Sequence, residues 1–498
     1  MKTSSINSGQ IYRWITQAFS RPAIWILFGA LGLSLCGCAL HKPPPHPTIV
    51  DQALPKATPL PPVWTSSSNS GKVDDGWLKS FRDAGLEEVV SEAIANNLNL
   101  RQSGARVEAA RQSVIVVSSK LKPQVNASFA AASTRSTDKD VTQQNQSSML
   151  LGGVAWEVDV WGRVRSQRAA SQENYEAVAL DYAFARQSLA AITAKSWYLA
   201  IETGQLLALA KESVNIYTQL FELVKVRRAA GKVADLDVAE ASYELDEAQN
   251  QLAAAQGLYS EARRTLEALV GRYPAAELRV AAEFAPLPPP VTSGIPSSML
   301  ERRPDVLGAE HQVLSAFRTQ QAAKLARLPS FSFALEGGRL SDPLLAVLGL
   351  NPWLIHTAVG MLVPIYEGGA LRAQVKIATA EQEQSIAYFG SVALRAFTEV
   401  EVALTNQQLL DQRLPYAEGA VRDHSEAVRV ANLRYRAGSM DLLSVLQLQE
   451  GEIGSRAALI TLRNTQLANR INLHLALGGS FDSSPARTLP AATASNNP

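Results

Sequence analysis

A chain of 498 residues that is 46% apolar and only 19% charged holds enough hydrophobic material for a large core or several domains, which excludes a disordered polymer. Its formal net charge of +1 comes from interleaved acids and bases with no basic tract, which argues against a nucleic-acid partner. There are two cysteines, Cys36 and Cys38, and if the chain is processed at Cys38 only one remains, so no disulfide framework is possible.

Lys2, Arg13 and Arg21 precede the apolar run Ala23 to Leu35, which is short for a membrane span and suits the core of a signal peptide. Leu35-Cys36-Gly37-Cys38 then resembles a bacterial lipobox, which implies removal of residues 1–37 and a covalent lipid on Cys38. An uncleaved anchor helix is the competing reading. Ala39 stands where, by analogy with bacterial lipoproteins, an aspartate would favour retention in the inner membrane, so delivery to the outer membrane fits better. Residues 38–76 are rich in proline and small polar residues with no sustained period, and read as a lipid-anchored tether.

Helical periodicity starts near Trp77 and runs to Lys120, with a break around Asn96 to Asn99, and Pro123 ends it. Val125, Ala127, Phe129 and Ala131 alternate with small or polar residues. A polar loop from Ser133 to Ser148 leads to a second strand from Leu151 to Trp161, giving a hairpin over 124–161. From Arg165 to Ala230 there is no proline and one glycine, which predicts a helix on the order of 100 Å long. Gly231 breaks it, and a return helix is expected from about Leu236 to Val270. Pro-rich residues 276–298 form a linker.

The pattern then repeats. Pro329 follows Pro123 by 206 residues, Gly438 follows Gly231 by 207, and the strand before Gly368-Gly369 echoes WEVDVWGRVR (Trp156 to Arg165). A tandem duplication results: a first repeat over 77–275, a second over 299–479 with its hairpin over 329–366, and a disordered tail over 480–498. In the second hairpin, a loop from Gly337 to Pro352 joins strands from Phe331 and from Ile355 to Tyr366. The second long helix is expected from Ala370 to Ala437, kinked at Pro415.

Four strands per chain, apolar on one face and small or polar on the other, have the pattern of a barrel wall. Alternation alone fits a small soluble sheet equally well. Four strands cannot close a barrel, and an open edge in lipid leaves backbone groups unsatisfied, so a membrane wall demands oligomerisation. The arithmetic allows a dimer of eight strands or a trimer of twelve.

The segments Trp77 to Asn99, WEVDVWGRVR from Trp156, GIPSSMLERRPDV from Gly294, LRYRAGSMDLLSVLQLQ from Leu433 and LHLALGG from Leu473 resemble the outer-membrane efflux channel family of TolC and OprM, in its NodT-type lipoprotein branch. That resemblance covers nearly the whole mature chain. It implies an α+β membrane protein: a homotrimer with a 12-stranded β-barrel in the outer membrane, continued by a long α-helical periplasmic barrel. It further implies a passive exit duct for small molecules, working with a periplasmic adaptor and an inner-membrane pump. A periplasmic helical scaffold lipoprotein without a pore is the alternative.

The resemblance also implies that the helix turns at Gly231 and Gly438 close the tunnel. Asp441, Leu443, Tyr435, Arg436, Asp235 and Asp237 become gate candidates, with Tyr435 and Arg436 tying neighbouring helices together. Asp235 and Asp441 as simple helix N-caps is the plainer reading. Ser444 and Gln447 stand where such channels often carry an acid, so Leu443 as an apolar constriction is favoured over an acidic ring. Glu157 and Asp159 are assigned to the barrel lumen, with Trp156 facing lipid. The six histidines are isolated, and no metal, catalytic or phosphate-binding motif is present, so neither an enzyme nor a cofactor is expected beyond the lipid on Cys38.

Overall fold

The computed structural model describes residues 41–54, 60–66, 71, 73–138, 141–341 and 353–482. Cys38, the signal segment and residues 483–498 lie outside that set. The helices are α1 (His46–Ala53), α2 (Trp77–Ser80), α3 (Ala84–Asn96), α4 (Leu98–Ser119), α5 (Arg163–Ala229), α6 (Asp235–Val270), α7 (Pro296–Leu300), α8 (Pro304–Leu325), α9 (Ala370–Arg436) and α10 (Leu442–Ala476). The strands are β1 (Gln124–Asp138), β2 (Val141–Val158), β3 (Ser330–Ser341) and β4 (Trp353–Leu362). Two compact units divide the chain. One comprises Arg111–Asn174 and Val313–Gln384 with the described residues of Met1–Pro45, and the other His46–Ala110, Tyr175–Gln312 and the described residues of Ser385–Pro498.

The first unit holds one antiparallel sheet in the order β1-β2-β3-β4. Its strands are longer than apolar alternation predicts. The stretch from Ser133 to Ser148, expected as a loop, continues the ladder, with Ala132 opposite Ser147 and Asp138 opposite Val141. Ser, Thr and Gln pair across strands through the same backbone bonds as Val, so the ladder persists where the hydrophobic signal stops. Gly337 to Ser341, also expected as loop, belongs to β3. β4 ends at Leu362, short of the predicted Tyr366, and Pro364 lies in the irregular segment before α9. Residues 342–352 of the expected second loop lie outside the described set.

The second unit is built on the long helices. Both α5 and α9 run for 67 residues, roughly 100 Å of helix each. α9 stays helical through Pro415. Four helix ends stop identically: Gly231, Gly271, Gly438 and Gly478 have φ of 70°, 87°, 77° and 72°. Each glycine N–H donates to the carbonyl three residues back. The next N–H donates to the carbonyl five back from itself, as in Lys232 to Arg227 and Ser439 to Arg434. This Schellman arrangement needs a left-handed residue, which glycine supplies without a Cβ clash.

The repeat is visible in what caps the helices. Asn97 accepts from the Leu100 N–H and donates Nδ2 to the Leu269 carbonyl near the end of α6, at 3.0 Å. In the second repeat Arg303 sits just before α8 and donates to the Ala476 carbonyl at the end of α10, at 3.2 Å. The same junction is thus closed twice with different chemistry. A core of Phe81, Leu86, Trp197, Tyr198, Leu266 and Ile471 packs beside the first of them.

Two expectations about the ends need correction. The predicted tether contains α1, with Ile49 fully buried, and Trp64, whose Nε1 donates to the Ser293 carbonyl at 2.7 Å. The Glu401 carboxylate accepts from the N–H groups of Thr65 and Ser66 at 2.9 and 3.0 Å. An eight-residue helix spans barely two turns, too few for a period to show in sequence. The predicted tail likewise begins with packed residues: Phe481 is buried beneath the Arg186 guanidinium, and the Ser480 carbonyl accepts from the Gly76 N–H.

Glu267 supplies a measurable anchor after α6. Its buried carboxylate accepts from the N–H groups of Ala276, Glu277 and Leu278 at 2.6 to 2.7 Å. Burial alone would push its pKa up, but the three backbone donors outweigh that and hold it below the usual carboxylate range. A depressed folded-state pKa gives stability that is full above the unfolded pKa and lost as pH falls through the folded one. Glu267→Gln is therefore expected to cost about 1–3 kcal/mol near neutral pH. Unfolding curves against pH should show that difference shrinking towards zero in acid.

Candidate functional site

Two places carry the residues singled out in the sequence: the sheet of the first unit and the helix turns of the second.

Strand register sorts the sheet into two unlike faces. Val125, Phe129, Leu150, Val154 and Trp156 share one face with Phe331, Phe333, Leu335, Ile355, Val359 and Met361. Many are exposed, Ile355 and Val359 to 79% and 80%. The opposite face carries Asn126, Ser128, Gly153, Ala155, Ser332, Ala334, Ala358 and Gly360 together with Met149, Leu151, Leu354 and Leu362 towards its two ends, and Glu157, Glu336 and His356 are its ionisable members among residues whose side chains are described. Glu157 and Trp156 are therefore on opposite faces, and the apolar one is uncovered. From Phe331 to Arg339 the strand rises roughly 27 Å, or roughly 20 Å after a barrel-like tilt, close to an outer-membrane apolar band. Trp353, opposite Arg339, marks one limit, and Trp156 and Trp161 mark the other, as interfacial aromatics do.

The junction below this face is tightly determined. Trp156 Nε1 donates to the Leu121 carbonyl at 3.1 Å and Trp161 Nε1 to the Pro329 carbonyl at 2.7 Å. Glu157 pairs with Arg163 at 2.6 Å. Asp159 lies past the last ladder pair, and its carboxylate accepts from the N–H groups of Val164 and Arg165 at 3.0 and 2.9 Å. Its structural work is to cap α5, favoured by the positive end of the helix dipole. Glu157, Asp159, Trp161, Pro329, Leu362 and Pro364 help to line a cavity of about 230 Å³ at this end of the sheet.

At the helix turns, the two hairpins of one chain pack through Tyr217, Leu220, Val224, Tyr435, Leu442 and Leu446. Tyr435 is 2% exposed, so it is a core residue, and the Arg227 guanidinium lies 4.4 Å above its ring. This contact ties α5 to α9. Arg436 is exposed beside it. Asp441 is the N-cap of α10 and accepts from the Ser444 N–H at 2.8 Å, which with the Ser444 hydroxyl holds its pKa low. Asp235 opens α6 in a bidentate pair with Arg228, whose hydrogen bonds likewise lower its pKa. Asp237 reaches back to the Ala234 N–H at 2.7 Å, the acidic half of a capping box. The plainer reading, a helix N-cap, describes the bonds of Asp441; in α6 the cap position is Ala234, which Asp237 satisfies, and Asp235 bonds to the Arg228 side chain instead.

Leu443 stands 51% exposed in the first turn of α10. Sequence reasoning missed its counterpart Leu236, 207 residues earlier and 67% exposed, and the pair Val226 and Leu433, also 207 apart, at 66% and 57%. Applying the repeat offset to Leu443 would have found Leu236. Each hairpin turn therefore presents two bare aliphatic side chains beside its charged caps.

The sheet thus has an uncovered apolar face, and its strands run on in sequence into very long helices. Residues 89–272 and 295–479 match the family described as outer membrane efflux protein. The chain belongs to that family. It is 28% identical over 469 residues to the pyoverdine export outer membrane protein OpmQ of Pseudomonas putida, covering 92% of this chain and 98% of that one. It is also 28% identical to the toluene efflux pump outer membrane protein TtgC of Pseudomonas putida, covering 90% and 93%. The CmeC outer membrane channel of Campylobacter jejuni has the same fold, with a TM-score of 0.78 at 19% identity over 90% of this chain and 95% of that one.

Proposed function

We propose that three copies of this chain close a 12-stranded barrel, each β4 edge pairing with the β1 edge of the next copy, and that small molecules leave through it. The supporting observation is the sheet itself, which has one uncovered apolar face, an opposite face whose middle is small and polar, and two edges without a partner among the described residues. Exposed edges in lipid cost several kcal/mol per unsatisfied group, and closure removes them. Passage is passive, and the driving energy comes from an inner-membrane pump reached through a periplasmic adaptor. Cys38 carries the lipid that anchors each copy.

The gate reading gives the aliphatic residues of the turns, and Leu443 in particular, the role of an apolar constriction at the axis, held in place by the Asp441 cap and the Asp235–Arg228 pair. Glu157 then lies on the lining of the barrel lumen. The chain's work is transport, not catalysis.

Planar-bilayer recordings of the purified trimer test this. The wild type should conduct weakly, and Leu443→Ser should raise its conductance several-fold. A folded, membrane-inserted protein that conducts in neither form would sink the duct reading.

A further inference from the structure

We propose that the end of the sheet that meets the helices carries a collar for anionic phospholipid headgroups of the periplasmic leaflet, formed by Lys120, Lys122, Lys324 and Arg327. The inference rests on the reading of the sheet as the membrane wall and adds a lipid class and a site to it.

Lys120 and Lys122 lie between the end of α4 and β1, while Lys324 in the last turn of α8 and Arg327 just after it lead into β3, so register places all four towards the same end of the sheet. All four are exposed, and none has a carboxylate partner among the described residues. Lys324 is bonded only to the Gln320 side chain, at 2.8 Å. No Asp or Glu occurs from residue 109 to 137 or from 311 to 335, and of the carboxylates lining the cavity at this end, Glu157 is paired with Arg163 and Asp159 with Arg165, which leaves Glu367 as the nearby counter-charge. A helix C-terminus favours one nearby cation. Lys122 and Arg327, however, lie beyond the last helical residues Ser119 and Leu325, and bare aliphatics accompany them.

Those aliphatics are Ile115, Val116 and Leu328, exposed to 54%, 63% and 39%. Exposed aliphatic groups beside unpaired long cations, under an aromatic belt of Trp156 and Trp161, suit the boundary between acyl chains and phosphates. There Lys and Arg stems lie along apolar matter and their charges reach headgroups. Trp156, on the apolar sheet face, bonds to the carbonyl of Leu121, which lies between Lys120 and Lys122. The chain also returns here: the His41 carbonyl accepts from Arg318 Nη1 at 2.6 Å, and its ring stacks on Phe317. Charge selects an anionic lipid over a neutral one, by an electrostatic attraction that salt screens.

The test is to insert the full-length protein into vesicles or nanodiscs of phosphatidylcholine containing a minor fraction of phosphatidylglycerol, and to count the lipids retained on the extracted trimer by native mass spectrometry. Retention should favour phosphatidylglycerol, with the preference falling about ten-fold in a variant carrying glutamine at all four positions. A variant in which the three lysines become arginine should keep it. Insertion without headgroup preference in the wild type overturns the collar while leaving the wall intact. Failure to insert at all overturns the wall and the collar together. Equal retention by the glutamine variant, with its circular dichroism unchanged, overturns the assignment to these four residues.

Discussion

Arg303→Ala should lower stability by about 3–5 kcal/mol, because it removes the cation from a buried ion network and leaves the acids behind. The guanidinium side chain is 1% exposed, and it meets Asp305 through two bonds of 3.0 and 2.8 Å and Glu399 through one of 2.7 Å. Burial opposes its charge, yet these carboxylates win and raise its pKa. Asp305 is itself 9% exposed, while Glu399 is 44% exposed and can turn to water, so most of the loss comes from Asp305. Asp181 adds to it: burial first and then Asp305 already raise its pKa. Arg303→Lys should recover only part of the loss, since one ammonium cannot span Asp305, Glu399 and the Ala476 carbonyl. Arg303→Met combined with Asp305→Asn should be milder than Arg303→Ala. Thermal and denaturant unfolding followed by circular dichroism rank the three, and a wild-type-like Arg303→Ala would refute the network's role.

The second large effect is expected in the wall. Gly338 lies in β3 where a Cβ would collide with the Leu150 carbonyl oxygen and stand 2.8 Å from the Leu151 Cα. Both are backbone atoms of the neighbouring strand, so no rotamer change relieves the clash. Gly338→Ala must therefore push β2 and β3 apart, at a cost of at least about 3 kcal/mol, beyond ordinary overpacking. Gly152→Ala is the matched control. Its Cβ would meet nothing closer than the Gly337 carbonyl oxygen at 4.0 Å, and the substitution should be tolerated. Gel mobility of heated and unheated samples reads the outcome: Gly152→Ala should keep the compact trimer band, and Gly338→Ala should lose it.

How much of this was legible in sequence depends on where the physical signal lies. Long helices announce themselves by the absence of breakers, so α5, expected from Arg165 to Ala230, runs from Arg163 to Ala229. Their ends were legible at Gly231 and Gly438, because a left-handed turn leaves a glycine. Strand ends were not, because backbone pairing continues through Ser, Thr and Gln after the hydrophobic alternation has ceased. The packing of Ile49, Trp64 and Phe481 was hidden as well: single anchors in irregular chain have no period. The gate candidates show a further limit. The family resemblance pointed to Asp235, Asp237 and Asp441; the last two bond as helix caps and Asp235 pairs with Arg228, but a ring about a threefold axis is a property no single chain displays. Arg303 was quoted only as part of a family motif, since nothing in RRPDV says which arginine is buried.

The extended ladder of β1 and β2 has one more consequence. Past Ala132 and Ser147 the two strands stay paired to Asp138 and Val141 although the apolar alternation has ended, so a polar ribbon extends beyond the apolar face at the end away from the helices. In the outer membrane that side is the cell's exterior. The ribbon is then the part of this exporter that an antibody or a phage meets first, and the natural place to graft an epitope without touching the duct.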